Sequence, residues 1–402
     1  MRRLAVFLLV LAISAALVAP ASARPRWKQR LDNMVAGRNV SVAVAAEGRT
    51  LYRWGAAKTR IPASGQKLLL SMALLEVLPP SERITTTAAT DGISLTGVVE
   101  GDLWVLGRGD PTITGSRRYA KSFPFRATAL GKLAWKIKDA GVTRIRGSVK
   151  GSTSFFDRDW WASGWKSDFP RRYIPLPSAL SFEGNVRKAK HISNPEWRVA
   201  RSLTRKLEAM GVQVGGKPGR GAAPASVQPL AEVSSAPLYK LLRYMNRKSS
   251  NFFAETLGKR LGREWSNASG SIARGAAATQ EWASRAGESI TARDASGLSY
   301  SNRISPLALS RLLGVTLVSP TGPTVFESLP SGGQGTLRDR LHGAPVRAKT
   351  GTLTNISTLS GYVWLERAGS WAEFSIMSSG MYKTTASDLE DAIVRHLIRA
   401  GR

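Results

Sequence analysis

Strand-like patterns near both ends of the chain constrain its fold more than any other feature. Residues 40–44 alternate as a half-buried strand does, and residues 51–54 form a return strand after a short turn. Residues 362–365 and 371–377 are a second strand pair, followed by helical spacing over 386–399. The simplest fold places both ends in one antiparallel sheet covered by helices.

The middle of the chain has a different sequence pattern. From residue 84 to residue 229 it consists of short strand-like stretches and turns rich in Gly, Pro and Thr, and helical spacing resumes at Leu238. We therefore predict an α+β fold with an inserted, mostly β or mixed module. The predicted boundaries give a leader at 1–23, one domain built from 24–83 and 231–402, and an insert at 84–230.

The first 23 residues have the pattern of a secretory signal peptide. Arg2 and Arg3 precede an apolar stretch over residues 4–18, and small residues at 21–23 resemble a cleavage site. The apolar stretch is short for a bilayer span and is followed by Pro20, so an uncleaved anchor is the less favoured alternative. We predict cleavage after Ala23 and export to the periplasm or cell envelope.

The amino-acid composition excludes several kinds of catalytic and metal site. The chain has no cysteine, which excludes disulfides and thiolate catalysis, and its three histidines (His191, His342 and His396) have no metal-ligand spacing. We therefore predict neither a metal nor a cofactor.

The formal charge is +30, and residues 116–206 carry 21 Lys and Arg against 6 Asp and Glu. For an exported protein this predicts contact between the basic insert and anionic cell-wall surfaces, with a merely solvated basic face as an equal alternative. Nucleic acid is not expected, because no recognised nucleic-acid motif accompanies the charge.

Two Ser-x-x-Lys sequences occur, and only one has helical context. Ser64 begins a helix of Leu, Met and Ala, so Lys67 lies on the same helix face and within reach of the Ser64 hydroxyl. Ser163 and Lys166 stand among Trp, Gly and Asp without helical periodicity. Taken alone, this motif favours a plain helix-capping role for Ser64, which is a common role of serine.

Two further motifs favour catalysis over capping. Ser249-Ser250-Asn251 follows the helix that starts at Leu238, and Lys349-Thr350-Gly351 lies on a predicted strand over 346–352. The order S-x-x-K, S-x-N, K-T-G resembles that of the penicillin-recognising serine enzymes. The stretches GDL (101–103), GDPT (109–112), PSALS (177–181) and DASGLS (294–299) are similar to those of the class C low-molecular-mass penicillin-binding proteins, the D-alanyl-D-alanine carboxypeptidase/endopeptidase family.

The resemblance covers nearly all of the mature chain and implies a penicillin-binding/serine β-lactamase-like transpeptidase fold, an antiparallel sheet with helices on both sides. It implies a carboxypeptidase, with endopeptidase action as an accompanying alternative, that acts on the D-Ala-D-Ala stem peptides of peptidoglycan and is inhibited by β-lactams. The insert is short for this family. Ser250 stands where the family usually has Asp, which places the rate in question.

The residues suggest how such an enzyme would work. With no histidine placed to serve, Lys67 would activate Ser64, and Ser249 with Lys349 would carry the proton to the leaving amine. Asn251 would hold the substrate amide, while Thr350 and Thr352 beside Gly351 would bind the terminal carboxylate. The N–H groups of Ser64 and Thr352 would form the oxyanion hole.

The sequence leaves two other functions open. A serine β-lactamase needs a deacylating base, and no Glu-x-x-Leu-Asn pattern lies between Asn251 and Lys349. A non-catalytic peptidoglycan-binding protein of the same fold would be expected to lack Ser64 or Lys67, and both are present.

Overall fold

The computed structural model describes residues 24–400. The predicted signal peptide and its cleavage site fall on residues 1–23, outside this range. No helix within the described part of the chain is both long enough and apolar enough to cross a membrane.

The described helices are α1 (Arg26–Val35), α2 (Gln66–Val77), α3 (Arg117–Ala120), α4 (Leu130–Asp139), α5 (Phe169–Arg172), α6 (Pro195–Glu208), α7 (Leu238–Lys248), α8 (Asn251–Ser266), α9 (Ile272–Arg285), α10 (Pro306–Leu317), α11 (Gly322–Ser328) and α12 (Lys383–Ala400).

The described strands are β1 (Val40–Ala46), β2 (Arg49–Trp54), β3 (Thr85–Thr90), β4 (Val98–Val99), β5 (Leu103–Gly107), β6 (Arg144–Ile145), β7 (Val149–Ser152), β8 (Val186–Arg187), β9 (Lys190–His191), β10 (Gln213–Val214), β11 (Gly219–Gly221), β12 (Gln228–Ser234), β13 (Val346–Leu353), β14 (Ile356–Leu365) and β15 (Ser370–Ser379).

Both ends of the chain meet in one antiparallel sheet, as the sequence predicts. Its strand order is β13-β14-β15-β1-β2, and β1 pairs with β15 so that Val42 lies opposite Ile376. The prediction began the next-to-edge strand at residue 362, whereas β14 begins at Ile356. The first half of β14 was not predicted because its serines and threonines look like exposed polar residues. They are buried, and their hydroxyls hydrogen-bond to one another: the Ser360 and Ser375 hydroxyls lie 2.9 Å apart.

Helices cover both faces of this sheet. On one face α12 and α1 bury apolar side chains such as Leu31 and Ile393 against the strands. On the other face α2 is the central helix, and every residue from Gln66 to Leu75 is buried. Apart from Gln66, Lys67 and Ser71 these buried residues are apolar and lie on all sides of the helix, as in a helix inside a protein, and each fully buried leucine contributes about 1.5–3 kcal/mol. The α+β prediction is confirmed.

The middle of the chain forms two smaller sheets around a core of its own, and β8 and β9 form a separate two-stranded sheet. The orders are β11-β7-β5-β3-β12, which mixes parallel and antiparallel pairs, and β10-β6-β4, which is parallel. Helices α4 and α6 pack on this core, so the insert is mixed; the sequence predicted neither these two helices nor the one-turn helices α3 and α5. In α6 the core contacts are made by Val199, Leu203 and Leu207, whose helical spacing is masked by the arginines between them. The proposed boundaries stay a prediction; β12 crosses the one at residue 230.

Candidate active site

Ser64 lies in a tight turn directly before the central helix. The turn is a single 3₁₀ segment, Ala63–Gly65, and α2 follows at Gln66. No side-chain cap bond is made by Ser64 to α2, since the residue at the N-cap position is Gly65. The helix-cap explanation of Ser64 therefore has no support in this geometry, and its hydroxyl is available to the cleft.

Lys67 is the hydrogen-bond partner of that hydroxyl. Its Nζ donates to Ser64 Oγ over 3.1 Å, to Asn251 Oδ1 over 2.9 Å and to the Ser296 carbonyl oxygen. The side chain is completely buried, and this desolvation lowers the pKa of Lys67 to about 8, against the raising effect of Asp294 and Glu255. A neutral Lys67 amine could accept the proton of Ser64.

Ser249 and Lys349 form a second serine–lysine pair. Ser249 ends α7 in the left-handed backbone region, at φ 52°, and Lys349 Nζ donates to its Oγ over 2.8 Å. Lys349 also donates to the Thr350 carbonyl oxygen over 2.8 Å. Burial, followed by the charges of Lys67 and Lys383, holds the pKa of Lys349 well below its ordinary value.

Asn251 connects Lys67 of α2 to the insert. It is the first residue of α8; besides accepting from Lys67, it donates from Nδ2 to the Tyr173 carbonyl oxygen over 3.2 Å. The preceding Ser250 is the N-cap of α8, and its hydroxyl accepts from the Phe253 N–H over 3.3 Å. Serine and aspartate are both good N-caps, so Ser250 can replace Asp without disturbing Asn251.

The edge strand β13 closes the other side of the cleft. The Ala348 N–H bonds outward to Pro330, away from β14, and alternation along a strand directs the Thr350 and Thr352 N–H groups to the same outer edge. Gly351 faces the Ser64 turn, where a Cβ would come within 2.7 Å of the Pro62 carbonyl oxygen and 2.2 Å of Thr358 Oγ1. Glycine is therefore required for β13 to approach the turn.

These elements surround one cleft of about 750 Å³. Five of the eight sequence-predicted site residues line it: Ser64, Ser249, Asn251, Thr350 and Thr352. Lys67 and Lys349 are buried at their hydrogen bonds to the two serines, and Gly351 packs against the turn. The structure thus brings all eight together.

The insert also reaches this cleft, which sequence reasoning missed. Lys166, Asp168, Arg172 and Tyr173 line it together with Tyr300 from the other domain. Lys166 belongs to the second Ser-x-x-Lys sequence, but it lies over the Tyr300 ring, 5.2 Å from the centroid, rather than at Ser163. The presence of a lysine beside an aromatic cluster gave no signal of which side of the molecule it would face.

Two buried carboxylates behind Lys67 were also missed. Glu255 accepts from the N–H groups of Ala295 and Ser296, which holds the loop whose Ser296 carbonyl accepts from Lys67. Burial, and then Asp294, raises the pKa of Glu255 to about 8. Asp294 accepts from Gly297 and Ser299 in the same loop. A glutamate on the apolar face of α8, next to Ala254 and Leu257, was the signal available in the sequence.

Sequence comparison gives a family match over almost the entire described chain. The model of the D-Ala-D-Ala carboxypeptidase 3 (S13) family matches residues 27–194 and 185–400. The D-alanyl-D-alanine carboxypeptidase of Actinomadura sp. (strain R39) is 27% identical, with 91% of this chain and 82% of that protein aligned. A carboxypeptidase of Mycobacterium tuberculosis is 29% identical, with 79% of this chain and 71% of that protein aligned.

Structure comparison gives the same fold. Penicillin binding protein 4 of Haemophilus influenzae superposes with a TM-score of 0.77 at 19% identity, covering 94% of this chain and all of that one (100%). A peptidoglycan endopeptidase of Bdellovibrio bacteriovorus superposes with a TM-score of 0.57 at 15% identity, covering 90% and 93%. The penicillin-binding fold predicted from the motifs is confirmed.

Proposed function

The chain belongs to the D-Ala-D-Ala carboxypeptidase 3 (S13) family, and we propose that it is a serine D-alanyl-D-alanine carboxypeptidase acting through an acyl-Ser64 intermediate. Its substrates are peptidoglycan stem peptides that end in D-Ala-D-Ala, and DD-endopeptidase cleavage of cross-bridges is an accompanying activity. The observation that carries the proposal is the hydrogen bond from buried Lys67 to Ser64, because it joins a nucleophile to a base that can be neutral near physiological pH.

Acylation follows from the positions of the two serine–lysine pairs. Neutral Lys67 takes the proton of Ser64 as Oγ attacks the carbonyl carbon of the penultimate D-alanine. The N–H groups of Ser64 and Thr352 stabilise the oxyanion. The C–N bond then breaks as the leaving amine receives the proton that Lys67 took from Ser64, relayed through the Ser249 hydroxyl, which Lys349 contacts at 2.8 Å; Lys67 is thereby neutral again.

The rest of the cleft supports substrate binding and the second half of the reaction. Asn251 holds the substrate amide, and the Thr350 and Thr352 hydroxyls bind the terminal carboxylate beside the positive field of Lys349. Water then hydrolyses the Ser64 ester and releases the shortened peptide. A β-lactam presents a carboxylate beside a strained amide, so it acylates Ser64 in the same way and inhibits the enzyme.

The test is covalent labelling together with product release. Purified protein should be labelled by a fluorescent penicillin and should release D-alanine from a peptide ending in D-Ala-D-Ala. Ser64→Ala should lose both, whereas the matched variant Ser163→Ala, in the other Ser-x-x-Lys sequence, should keep both. Mass spectrometry should locate the adduct on Ser64. An adduct on another residue, or D-alanine release by folded Ser64→Ala, contradicts the mechanism. Rapid loss of the label with little peptide cleavage would indicate a β-lactamase.

A basic groove on the insert supports the proposed contact with anionic wall polymers. The groove holds about 370 Å³ and is lined by Arg187, Arg198, Arg201, Arg205 and Lys206. None of these five cations has a carboxylate within 4 Å among residues 24–400, and Arg198 Nε is buried without a hydrogen-bond partner there. Burial, then the charges of Arg187 and Arg201, lowers the pKa of Arg198. A bound polyanion would reduce the electrostatic repulsion among these closely spaced cations.

Sedimentation with purified cell-wall sacculi tests this surface. The triple variant Arg198→Gln, Arg201→Gln, Arg205→Gln should bind less, and its residual binding should depend less on salt. A control with the same charge change at exposed arginines outside the groove (Arg53, Arg274 and Arg395) should bind as the wild type does. Equal losses in both variants would mean that net charge alone governs association.

An extracytoplasmic location agrees with a wall substrate, and we propose that export uses the N-terminal leader with cleavage after Ala23. Intact mass of the exported protein should show Arg24 as the first residue. Retention of residues 1–23 would contradict this and favour an anchored form.

A further inference from the structure

The cleft has a cationic group on the side of β13 opposite Lys349. Thr352 lies across from Ser357 on β14, and the side chains of such a pair lie next to each other on one sheet face. Lys383 Nζ donates to Ser357 Oγ over 2.7 Å. The ammonium group is therefore one cross-strand neighbour away from Thr352, and both residues line the cleft.

Side chains alternate between the two faces of β13, and this places Lys349 and Lys383 on opposite sides of the strand. Val346 and Ala348 pack in the core under α12, so Thr350 and Thr352 share that face of the strand. Lys349 points the other way, to Ser249. A carboxylate bound by the two threonine hydroxyls would lie between the ammonium groups of Lys349 and Lys383.

Lys383 is free to bind an anion, whereas its neighbour Arg340 is not. Arg340 already donates to Glu390 over 2.8 Å and to Asp391 over 2.7 Å. Lys383 has no carboxylate within 4 Å among residues 24–400, and its one hydrogen bond is to Ser357, which leaves donors unused. Partial burial lowers the pKa of Lys383; Glu390 and Asp391 oppose this, and Arg340 adds to it.

The position of Lys383 on its helix is unfavourable without an anion. It is the first residue of the 18-residue helix α12, whose first turn contains no acidic residue. A cation at a helix N-terminus adds to the positive end of the helix dipole. A substrate carboxylate at Thr350 and Thr352 would neutralise both the charge of Lys383 and the positive end of the α12 dipole.

We propose that Lys383 is a specificity-determining residue that binds the free carboxylate of the leaving D-amino acid from the side opposite Lys349. This inference rests on the proposed carboxypeptidase function and adds a charge contact to the threonine hydroxyls. It predicts that the enzyme distinguishes a C-terminal carboxylate from a C-terminal amide partly through Lys383.

The test compares two peptides that end in D-Ala-D-Ala, one with a free carboxylate and one with a carboxamide. Lys383→Gln should lower kcat/KM for the free acid about tenfold, mainly by raising KM, because a charge-assisted hydrogen bond is lost. Slow turnover of the amide should not change. Lys383→Arg should restore most of the activity on the acid. Lys217→Gln, a lysine on the insert outside the cleft, should behave as the wild type.

The outcomes separate this inference from the proposed function. If wild-type protein releases D-alanine and Lys383→Gln keeps its kcat/KM for the acid, the carboxylate contact is refuted and the proposed function stands. Equal losses on the acid and the amide, without rescue by Lys383→Arg, also refute it, since they indicate a structural role. If wild-type protein neither releases D-alanine nor is labelled by penicillin, the proposed function fails and the inference fails with it.

Discussion

Lys67 donates a 3.1 Å hydrogen bond to the Ser64 hydroxyl from a completely buried position. The same ammonium group contacts Asn251 and Ser296, so it is held by three polar groups and, within residues 24–400, contacts no carboxylate directly. Desolvation by burial is the largest influence on this lysine and lowers its pKa to about 8. The catalytic use of Lys67 as a base depends on this balance between burial and the more distant carboxylates.

The rate of acylation should therefore rise with pH. Neutral Lys67 is the reactive form, and with a pKa of about 8 roughly a tenth of it is neutral at pH 7. The second-order rate of penicillin labelling, measured from pH 6 to pH 9.5, should increase through pH 8 and then level off. Thermal unfolding at each pH identifies any loss caused by denaturation. A flat or falling profile in folded protein would show that Lys67 is not the base.

Glu255→Gln should move this rise to lower pH. The Glu255 carboxylate stabilises protonated Lys67 whenever it is charged, and an amide cannot do so. The amide oxygen can still accept from the Ala295 and Ser296 N–H groups, which preserves the loop. Glu255, with a pKa of about 8, is charged mainly above that pH, so labelling at pH 8.5 should be faster than in wild-type protein and labelling at pH 6.5 nearly unchanged, as followed by stopped-flow fluorescence. A rise displaced to higher pH would contradict the assigned interaction.

Gly297→Ala should disrupt the site, because the 294–299 loop touches the Ser64 turn there. A Cβ at Gly297, which has φ +82°, would lie 1.8 Å from the Ala63 carbonyl oxygen. Penicillin labelling should be largely lost. Gly287→Ala is a matched control with the same φ of +82° and no atom within 4 Å of the added Cβ. It should cost about 1 kcal/mol of stability and leave labelling intact. Similar labelling of both variants would exclude close packing at Gly297.

Ser250→Asp should keep both stability and labelling, because both residues cap α8. Ser250→Ala should cost about 1 kcal/mol in urea unfolding, as should Ser305→Ala at the N-cap of α10, which lies outside the cleft lining. Labelling of the folded Ser250→Ala protein should be retained. If the alanine variant is stable but unreactive, Ser250 takes part in the chemistry and its role is more than a cap.

The motifs could be found in the sequence because the periodicity of the residues around them predicts the helix or strand on which each one lies. The apolar run after Ser64 predicts a buried helix and places Lys67 on the face of the serine, three residues away. The alternating strands near residues 40 and 371 predict the sheet that joins the chain ends, and β1 and β15 are indeed neighbours. In β14 and α6 the periodicity was concealed by buried hydroxyls and by arginines, and there the reading was incomplete.

The sequence by itself determined the identity and order of the site residues, because each motif is a few residues long and its spacing needs only helix or strand geometry. Tertiary structure alone decided that Tyr173 of the insert meets Asn251, that buried Glu255 acts on the charge of Lys67, and that Lys383 of the last helix bonds to Ser357, the cross-strand neighbour of Thr352. These contacts join residues tens to hundreds of positions apart. The burial that lowers the pKa of Lys67 is likewise a property of the packed core, since desolvation depends on all the atoms that surround a group and not on its neighbours in the chain.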